Sequence, residues 1–461
     1  MSKGTNLVDY EFTGTLTAED TKRYVPFAFD LPAGTEEIHI DFQFEPRQVG
    51  ELSNTLALSL YAPDDVFRGF CHGPSNHKQL DIGVHEASDG FFAGALPPGV
   101  WTVEIETYMV LPGDPVDFRL QVQLRDNGAR DAGGEPSVVS SAARNGTGWY
   151  RGDLHTHTRH SDGELSVSAL LEMVRHAGFD FVALTDHNNT TQLADRAAQE
   201  CSDLVIVPGM ELTTYYGHAL SLGVSDWFDW RVGRNGRQLR DVVNEVHARD
   251  ALFVIAHPAA VGDPMCTGCK WLFGQFMPGG VDAVEVWNGP WASPDSRNEE
   301  TLQLWYAWLN SGRRLPATAG TDVHDARAYE GHPCFNWVYA SELSAHGLVE
   351  GIRSGHVLLS NGPRLWIGMP RPDGSIAMMG DAVTTTDHVA IFTLAWEGAP
   401  ADGVLRLVAD GDVRRTWSAE VEGARTVELM VHRWVVAEMR NVAGDVVAIT
   451  NPIYLDKGLH L

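Results

Sequence analysis

Positive charge is scarce in this chain. Its 461 residues hold 34 lysines and arginines against 61 aspartates and glutamates, a formal net charge of -27. That balance argues against non-specific attraction to nucleic acid or to an anionic membrane surface. It does not exclude an anionic substrate, because bound cations can invert the local field inside an acidic protein. No run approaches the length of a membrane-spanning helix. No basic segment followed by an apolar one lies behind Met1, so the expected location is cytoplasmic. Cysteine is rare too. Cys71, Cys201, Cys266, Cys269 and Cys334 are odd in number and scattered, which reads as reduced thiols rather than a disulfide framework. Cys266 and Cys269 make a lone CxxC, and with no second pair beside it they read as plain loop cysteines.

The length suggests roughly three domains, and the apolar content is ample for a sizeable core. Residues 1–127 read as β structure: 38–44, 56–61, 101–108 and 118–124 alternate apolar and polar, as half-buried strands do, and Pro97-Pro98-Gly99 marks a turn. Short strands at this spacing predict an antiparallel sandwich. It carries no catalytic constellation and reads as a structural appendage. Residues 128–148, rich in Gly, Ala, Ser and Asn, read as a linker.

From 149 to 363 strands and helices alternate. Apolar runs at 181–185, 204–207, 252–256 and 283–287 have the character of buried parallel strands. Between them 167–176 places Val167, Leu170, Leu171 and Val174 on one helical face, with Gly178 as a stop. Segments 239–248 and 299–310 behave alike, the latter ending at Gly312. The pattern predicts a barrel or an open α/β sheet. Residues 364–461 return to strands, clearest at 389–396, 404–408 and 426–431, and read as a second β domain.

The chemistry gathers where the strands of the middle region end. His155 and His157 stand two apart, so an extended backbone points both to one face. Asp162 follows. The next run leads into Asp186 and His187, the one after into Glu211 with His218 close behind, then come His257, and finally Asp322 and His324. In parallel α/β folds the carboxyl ends of strands face one crevice, so these side chains should converge. Imidazoles with carboxylates and no thiolate suit zinc, manganese or iron. The donors are too many for one ion. Two or three divalent ions are expected, and Glu211 can bridge two of them. Arg159, His160 and Arg327 adjoin these motifs and are candidates to protonate or neutralise a leaving group. Asn288 and Trp291, after the 283–287 run, are candidates to line a substrate pocket.

The ordered set His155-Thr156-His157, Ser161-Asp162-Gly163, Thr185-Asp186-His187-Asn188, Gly209-Met210-Glu211, His257-Pro258 and Gly320-Thr321-Asp322-Val323-His324 resembles the motifs of the PHP (polymerase and histidinol phosphatase) metallohydrolases. With β domains on both flanks the arrangement looks similar to the branch that includes carbaryl hydrolase. The resemblance implies a distorted (β/α)7 barrel between two β-sandwich-like domains, and a trinuclear metal centre. It implies a first ion held by His155, His157, Glu211 and Asp322. A second would be held by Glu211, His218 and His257, and a third by Asp162, His187 and His324. Asp162 stands where some members carry His. Asp186 is expected to orient a ligand rather than bind metal. The implied activity is a metal-dependent phosphoesterase or phosphatase that hydrolyses a small phosphate mono- or diester with water activated between ions. A carbamate or ester hydrolase on the same centre and a non-catalytic metal-binding module are the alternatives.

Overall fold

The computed structural model describes residues 5–126, 144–274, 280–371, 373–385 and 389–457. In the N-terminal region, period-2 alternation does what it predicts. The strand Glu37–Glu45 buries Ile38, Ile40, Phe42 and Phe44 and pairs antiparallel with Val116–Asp126 and His77–Gly83. Thr5–Leu16 completes this four-stranded sheet. A second sheet runs Tyr24–Leu31, Gly99–Met109, Thr55–Ala62, Val66–Cys71. Leu58, Leu60, Trp101, Val103 and Ile105 from it meet Ile40, Phe42, Leu120 and Val122 from the first in one core.

The second sheet is buried on its other face as well. Ala57, Tyr61, Phe70 and Tyr108 belong to the core of the middle region. The half-buried alternation expected at 101–108 therefore gives way to burial on both faces, with Glu104 and Glu106 only 1% and 0% exposed. A buried carboxylate needs a partner. Glu104 accepts from Arg231 at 2.7 Å and from Arg234 at 3.1 Å, both on the middle region, and the Arg231 guanidinium lies 4.3 Å from the Tyr61 ring centre. The sandwich is thus docked on the middle region through a desolvated ionic contact.

In the middle region the helices form where the apolar spacing places them. Val167–His176 buries Val167, Leu170, Leu171 and Val174, is capped by Ser166 accepting from the Ala169 N–H, and stops at Gly178 with φ 68°. The central sheet orders its strands Ala317–Gly320, Ala283–Asn288, Leu252–Ile255, Gly217–Leu222, Val205–Thr214, Phe181–Leu184, Arg144–Asp153. The pairs are parallel except around Gly217–Leu222, which is antiparallel to both neighbours. A hairpin thus replaces one βα unit, and the sheet is not a closed (β/α)7 barrel among the described residues. Its two ends meet at their carboxyl tips, where the Asp322 N–H donates to His155 O at 3.0 Å and the His157 N–H to Val323 O at 3.1 Å. Beyond Arg144–Asp153 the sheet continues antiparallel through Phe335–Leu343 and Val357–Ser360 into Val446–Thr450, Trp434–Arg440, Val404–Ala409 and Asp412–Ser418.

Three expectations change here. Residues 144–148 are strand, not linker, and pair with Phe335–Leu343; residues 127–143 lie outside the described residues. The C-terminal strands share a sheet with the middle region across residue 363 as well as packing their own core against the Arg364–Pro370, Val389–Glu397 and Glu422–Met430 sheet. Cys266 and Cys269 are joined in a disulfide, their Cα atoms 5.6 Å apart across a tight turn, while Cys71, Cys201 and Cys334 are free. No described helix is long and apolar enough to cross a membrane.

Candidate metal centre

The carboxyl ends of the central strands deliver the donors. His155 and His157 follow Arg144–Asp153, and both side chains are 0% exposed. Thr156 between them turns the opposite way and donates to Ala183 O at 2.6 Å, as strand alternation requires. His187 follows Phe181–Leu184, Glu211 lies within Val205–Thr214, and the hairpin brings His218 alongside. His257 and Asp322 each stand two residues past a strand, with positive φ of 26° and 53°. Such backbone strain is characteristic of sites whose surroundings over-determine it.

Glu211 is the hinge of the cluster. Its Oε2 lies 3.2 Å from His155 Nε2, 3.3 Å from His157 Nε2 and 3.0 Å from His187 Nδ1. Its Oε1 lies 3.1 Å from His218 Nδ1 and 3.3 Å from His257 Nε2. Asp322 Oδ1 is 3.3 Å from His155 Nε2 and 2.9 Å from His157 Nε2. Asp162 Oδ1 is 3.4 Å from His187 Nε2, 3.3 Å from His324 Nε2 and 4.0 Å from His157 Nδ1. Three compact donor groups result: His157, Asp162, His187 and His324; His155, His157 and Asp322; and His155, Glu211 and His257. His218 falls outside them, meeting Glu211 through Nδ1 and standing edge-on to the rings of His257 and His187.

These residues fit divalent cations. His155 Nε2, both ring nitrogens of His157 and Glu211 Oε2 are buried and make no hydrogen bond, although oxygens and nitrogens stand close by. Atoms that near without hydrogen-bond alignment are aimed at a common point. Ligands about 2.0–2.1 Å from one tetrahedral ion stand roughly 3.3 Å from each other, which is the spacing seen. Charge agrees. Burial pushes Glu211, Asp162 and Asp322 upward, but the facing imidazoles hold all three well below the usual carboxylate range. Burial likewise opposes charge on His155, His187 and His324, yet the carboxylates raise all three, His324 to about 10. The pocket is a balanced set of anions and potential cations, and metal ions would take the place of the imidazole protons.

Surrounding groups set ring orientation. Glu285, fully buried, lies 3.0 Å from His155 Nδ1 and also accepts from the His257 N–H at 3.1 Å and Asn288 Nδ2 at 3.2 Å. The outer nitrogens of His257 and His218 face the carbonyls of Cys269 at 3.2 Å and Thr267 at 3.3 Å, so the disulfide turn backs two imidazoles. Asp186 accepts from the Thr158 N–H and Ser161 Oγ, both at 2.8 Å, and so clamps the 157–162 loop. Asp153 accepts from Tyr329 OH at 2.7 Å and from the Thr321 N–H at 3.0 Å, tying the first strand to the turn before Asp322. Sequence reasoning missed Glu285 and Asp153. The one signal for Glu285 is an acid in the middle of an otherwise apolar run.

Above the donors lies a cavity of about 290 Å³ lined by Asp162, His187, Glu211, His218, His257, Asp322 and His324, with His72, Tyr108 and Thr213 among its other polar walls. Neither Arg159, His160 nor Arg327 lines it. Arg159 is exposed and donates to Glu164 O, and Arg327 is 81% exposed and paired with Asp325. His160 is turned toward Thr191, Asp195 and the Gly90 N–H of the sandwich. Asn288 and Trp291 are also absent from the walls. Asn288 Nδ2 instead donates to Asp322 Oδ2 at 3.2 Å, and Trp291 packs edge-on against Trp287 at 5.2 Å. Trp291 belongs to the core between the strands and the helix Asn298–Asn310, and the Asn298 side chain accepts from the Asn288 N–H at 2.8 Å.

A PHP domain model matches residues 153–243, a segment holding His155, His157, Asp162, His187, Glu211 and His218. No curated protein matches the sequence. Among solved structures, a two-domain protein from Bacteroides vulgatus containing a predicted PHP-like metal-dependent phosphoesterase is similar over 70% of this chain and 99% of its own, at 16% identity and a TM-score of 0.39. An amidohydrolase from Chromobacterium violaceum with bound sulfate is similar over 39% of this chain and 90% of its own, at 17% identity and a TM-score of 0.28. The functional reading rests on the matched segment and the donors, which together support a metal-dependent hydrolase, and not on these two likenesses.

Proposed function

We propose that the chain hydrolyses phosphate esters of small molecules with two to three divalent ions, zinc, manganese or iron. The observation that carries the reading is the division of Glu211, whose two oxygens face two different sets of imidazoles. His155, His157, Glu211 and Asp322 would hold one ion, Glu211, His218 and His257 a second, and Asp162, His187 and His324 a third, with His157 within reach of the last. Bound there, the ions would acidify a water and offset charge that develops on phosphoryl oxygens.

The chain's own residues do the rest. Glu285 holds the proton of His155 on Nδ1 and leaves Nε2 facing Glu211 and Asp322. The carbonyls of Thr267 and Cys269 do the same for the outer nitrogens of His218 and His257. Burial of His155, His157, His187, Glu211, His218 and His257 lowers the local dielectric and strengthens the electrostatic interactions among them. His324, with its side chain 40% exposed, lines the cavity, as do Pro264 and Met265. A cavity of this size takes a phosphoryl group with a modest substituent.

The test is turnover of p-nitrophenyl phosphate by metal-replete protein, with an aryl carbamate assayed beside it. The proposal predicts phosphate release that chelation abolishes and metal restores. Absence of aryl phosphate turnover contradicts it, and turnover of the carbamate alone reassigns the centre to carbamate hydrolysis.

A further inference from the structure

One wall of the metal cavity comes from the N-terminal sandwich, and it carries an imidazole that no donor group uses. His72 follows the strand Val66–Cys71 and lines the cavity beside Asp162, His187 and Tyr108. Its ring centre is 5.5 Å from that of His187. The ring is fixed from two sides, stacked on Phe70 at 6.0 Å and edge-on to Tyr108 at 5.0 Å. Its backbone is fixed as well. Lys78, buried, donates through Nζ to His72 O at 3.1 Å and Gly73 O at 3.2 Å. At Gly73 the φ of 102° lets the loop pass directly over Asp162, whose Cβ is 3.6 Å from where a side chain would begin.

For all this positioning, His72 Nδ1 is buried and has no hydrogen-bond partner among the described residues. A buried polar atom left unpaired is costly, and beside a cavity a bound group or a water is what can complete it. His72 also lies outside the three compact donor groups and, unlike His218, makes no hydrogen bond to Glu211 among the described residues.

We infer that His72 is a substrate-contacting residue, donating a hydrogen bond from its imidazole to a phosphoryl oxygen of the ester held against the Asp162–His187 side of the cavity. The inference rests on the proposed phosphoesterase reading and extends it: the active site is built from two regions of the chain, and the sandwich takes part in substrate recognition. Lys78 and Phe70 act through His72 as positioning residues.

The experiment uses the full chain, loaded with metal, as wild type, His72→Phe and His72→Ala. Phe keeps the stack on Phe70 and Tyr108 but has no N–H. Three quantities are read: metal content, affinity for inorganic phosphate by calorimetry, and kcat/KM on p-nitrophenyl phosphate. The expected result is wild-type metal content in both variants, with phosphate affinity and kcat/KM reduced about tenfold to a hundredfold, the range for a hydrogen bond to a charged group. Phosphate affinity and kcat/KM within twofold of wild type in His72→Phe overturn the inference and leave the function standing. Loss of metal from His72→Phe overturns it too, by making His72 part of the metal site. A wild type that neither binds phosphate nor turns over the ester overturns the function and the inference with it.

Discussion

Replacing Glu285 by Gln isolates one feature of the centre, the control of the His155 tautomer. Glu285 receives three N–H donors and offers none: Oε1 faces His155 Nδ1 at 3.0 Å, while Oε2 accepts from the His257 N–H at 3.1 Å and Asn288 Nδ2 at 3.2 Å. A carboxylate satisfies all three, and an amide cannot. With its NH2 toward His155, the ring must accept at Nδ1 and carry its proton on Nε2, the nitrogen that faces Glu211 and Asp322. With its NH2 the other way, it opposes two N–H groups in a buried space. Either arrangement weakens the ligand field, and the loss of such an orienting partner typically costs about 10–100-fold in metal affinity or activity. The assay is metal content after dialysis against graded free metal, read beside kcat/KM on an aryl phosphate. Glu285→Gln should shift the midpoint of metal retention by at least tenfold while the protein stays folded. A midpoint within twofold of wild type refutes the argument that Glu285 sets the His155 proton.

Other consequences follow from the same geometry. Asp162→Ala should remove one equivalent of metal and spare the rest, because Asp162 faces His187 and His324 and not His155 or His257; equal loss of every ion by elemental analysis would show that the ligands are not divided this way. Gly320→Ala would drive its Cβ into His155 and Glu285, so metal content should collapse even though residue 320 offers no ligand atom, and retention of full metal would mean the strand yields freely. Glu106 responds to pH. Burial raises its carboxyl from 4.5 to about 8, so the folded chain keeps a proton that the unfolded chain releases. Its contribution is complete below pH 4.5 and is lost as pH rises toward 8, at a limiting slope of about 1.4 kcal/mol per pH unit. Glu106→Gln should flatten that decline in denaturant melts between pH 5 and 8, and an unchanged slope would contradict the assignment.

The middle region was the most legible part of the sequence. Apolar runs such as 181–185 and 252–256 specify buried strands, and a residue just past such a run is carried to the sheet's carboxyl edge whatever the rest of the fold does. That is why His155, His157, His187, His257 and Asp322 could be gathered from spacing. The hairpin at Gly217–Leu222 was not legible, since its turn at Tyr215-Tyr216 has none of the Asn or Gly residues that announce one. Nor was Glu285, because alternation does not say which side of a doubly buried strand faces a cluster. Asn288 and Trp291 follow the same strand, and there proximity in sequence did not become proximity to the cavity. Arg159 and Arg327 likewise adjoin ligands but extend to solvent. The contribution of His72 and Tyr108 depends on how two regions dock, and the acid that signals docking, Glu104, looks like an ordinary outward-facing strand residue until Arg231 is seen against it.

The most direct test of the account is a count of metal ions in the native protein, purified without chelator and measured by elemental analysis before and after treatment with one. The account predicts two to three divalent ions per chain, hydrolysis of an aryl phosphate that disappears with them, and recovery of both on adding metal back. A protein that hydrolyses the ester equally well with its metal stripped would contradict it.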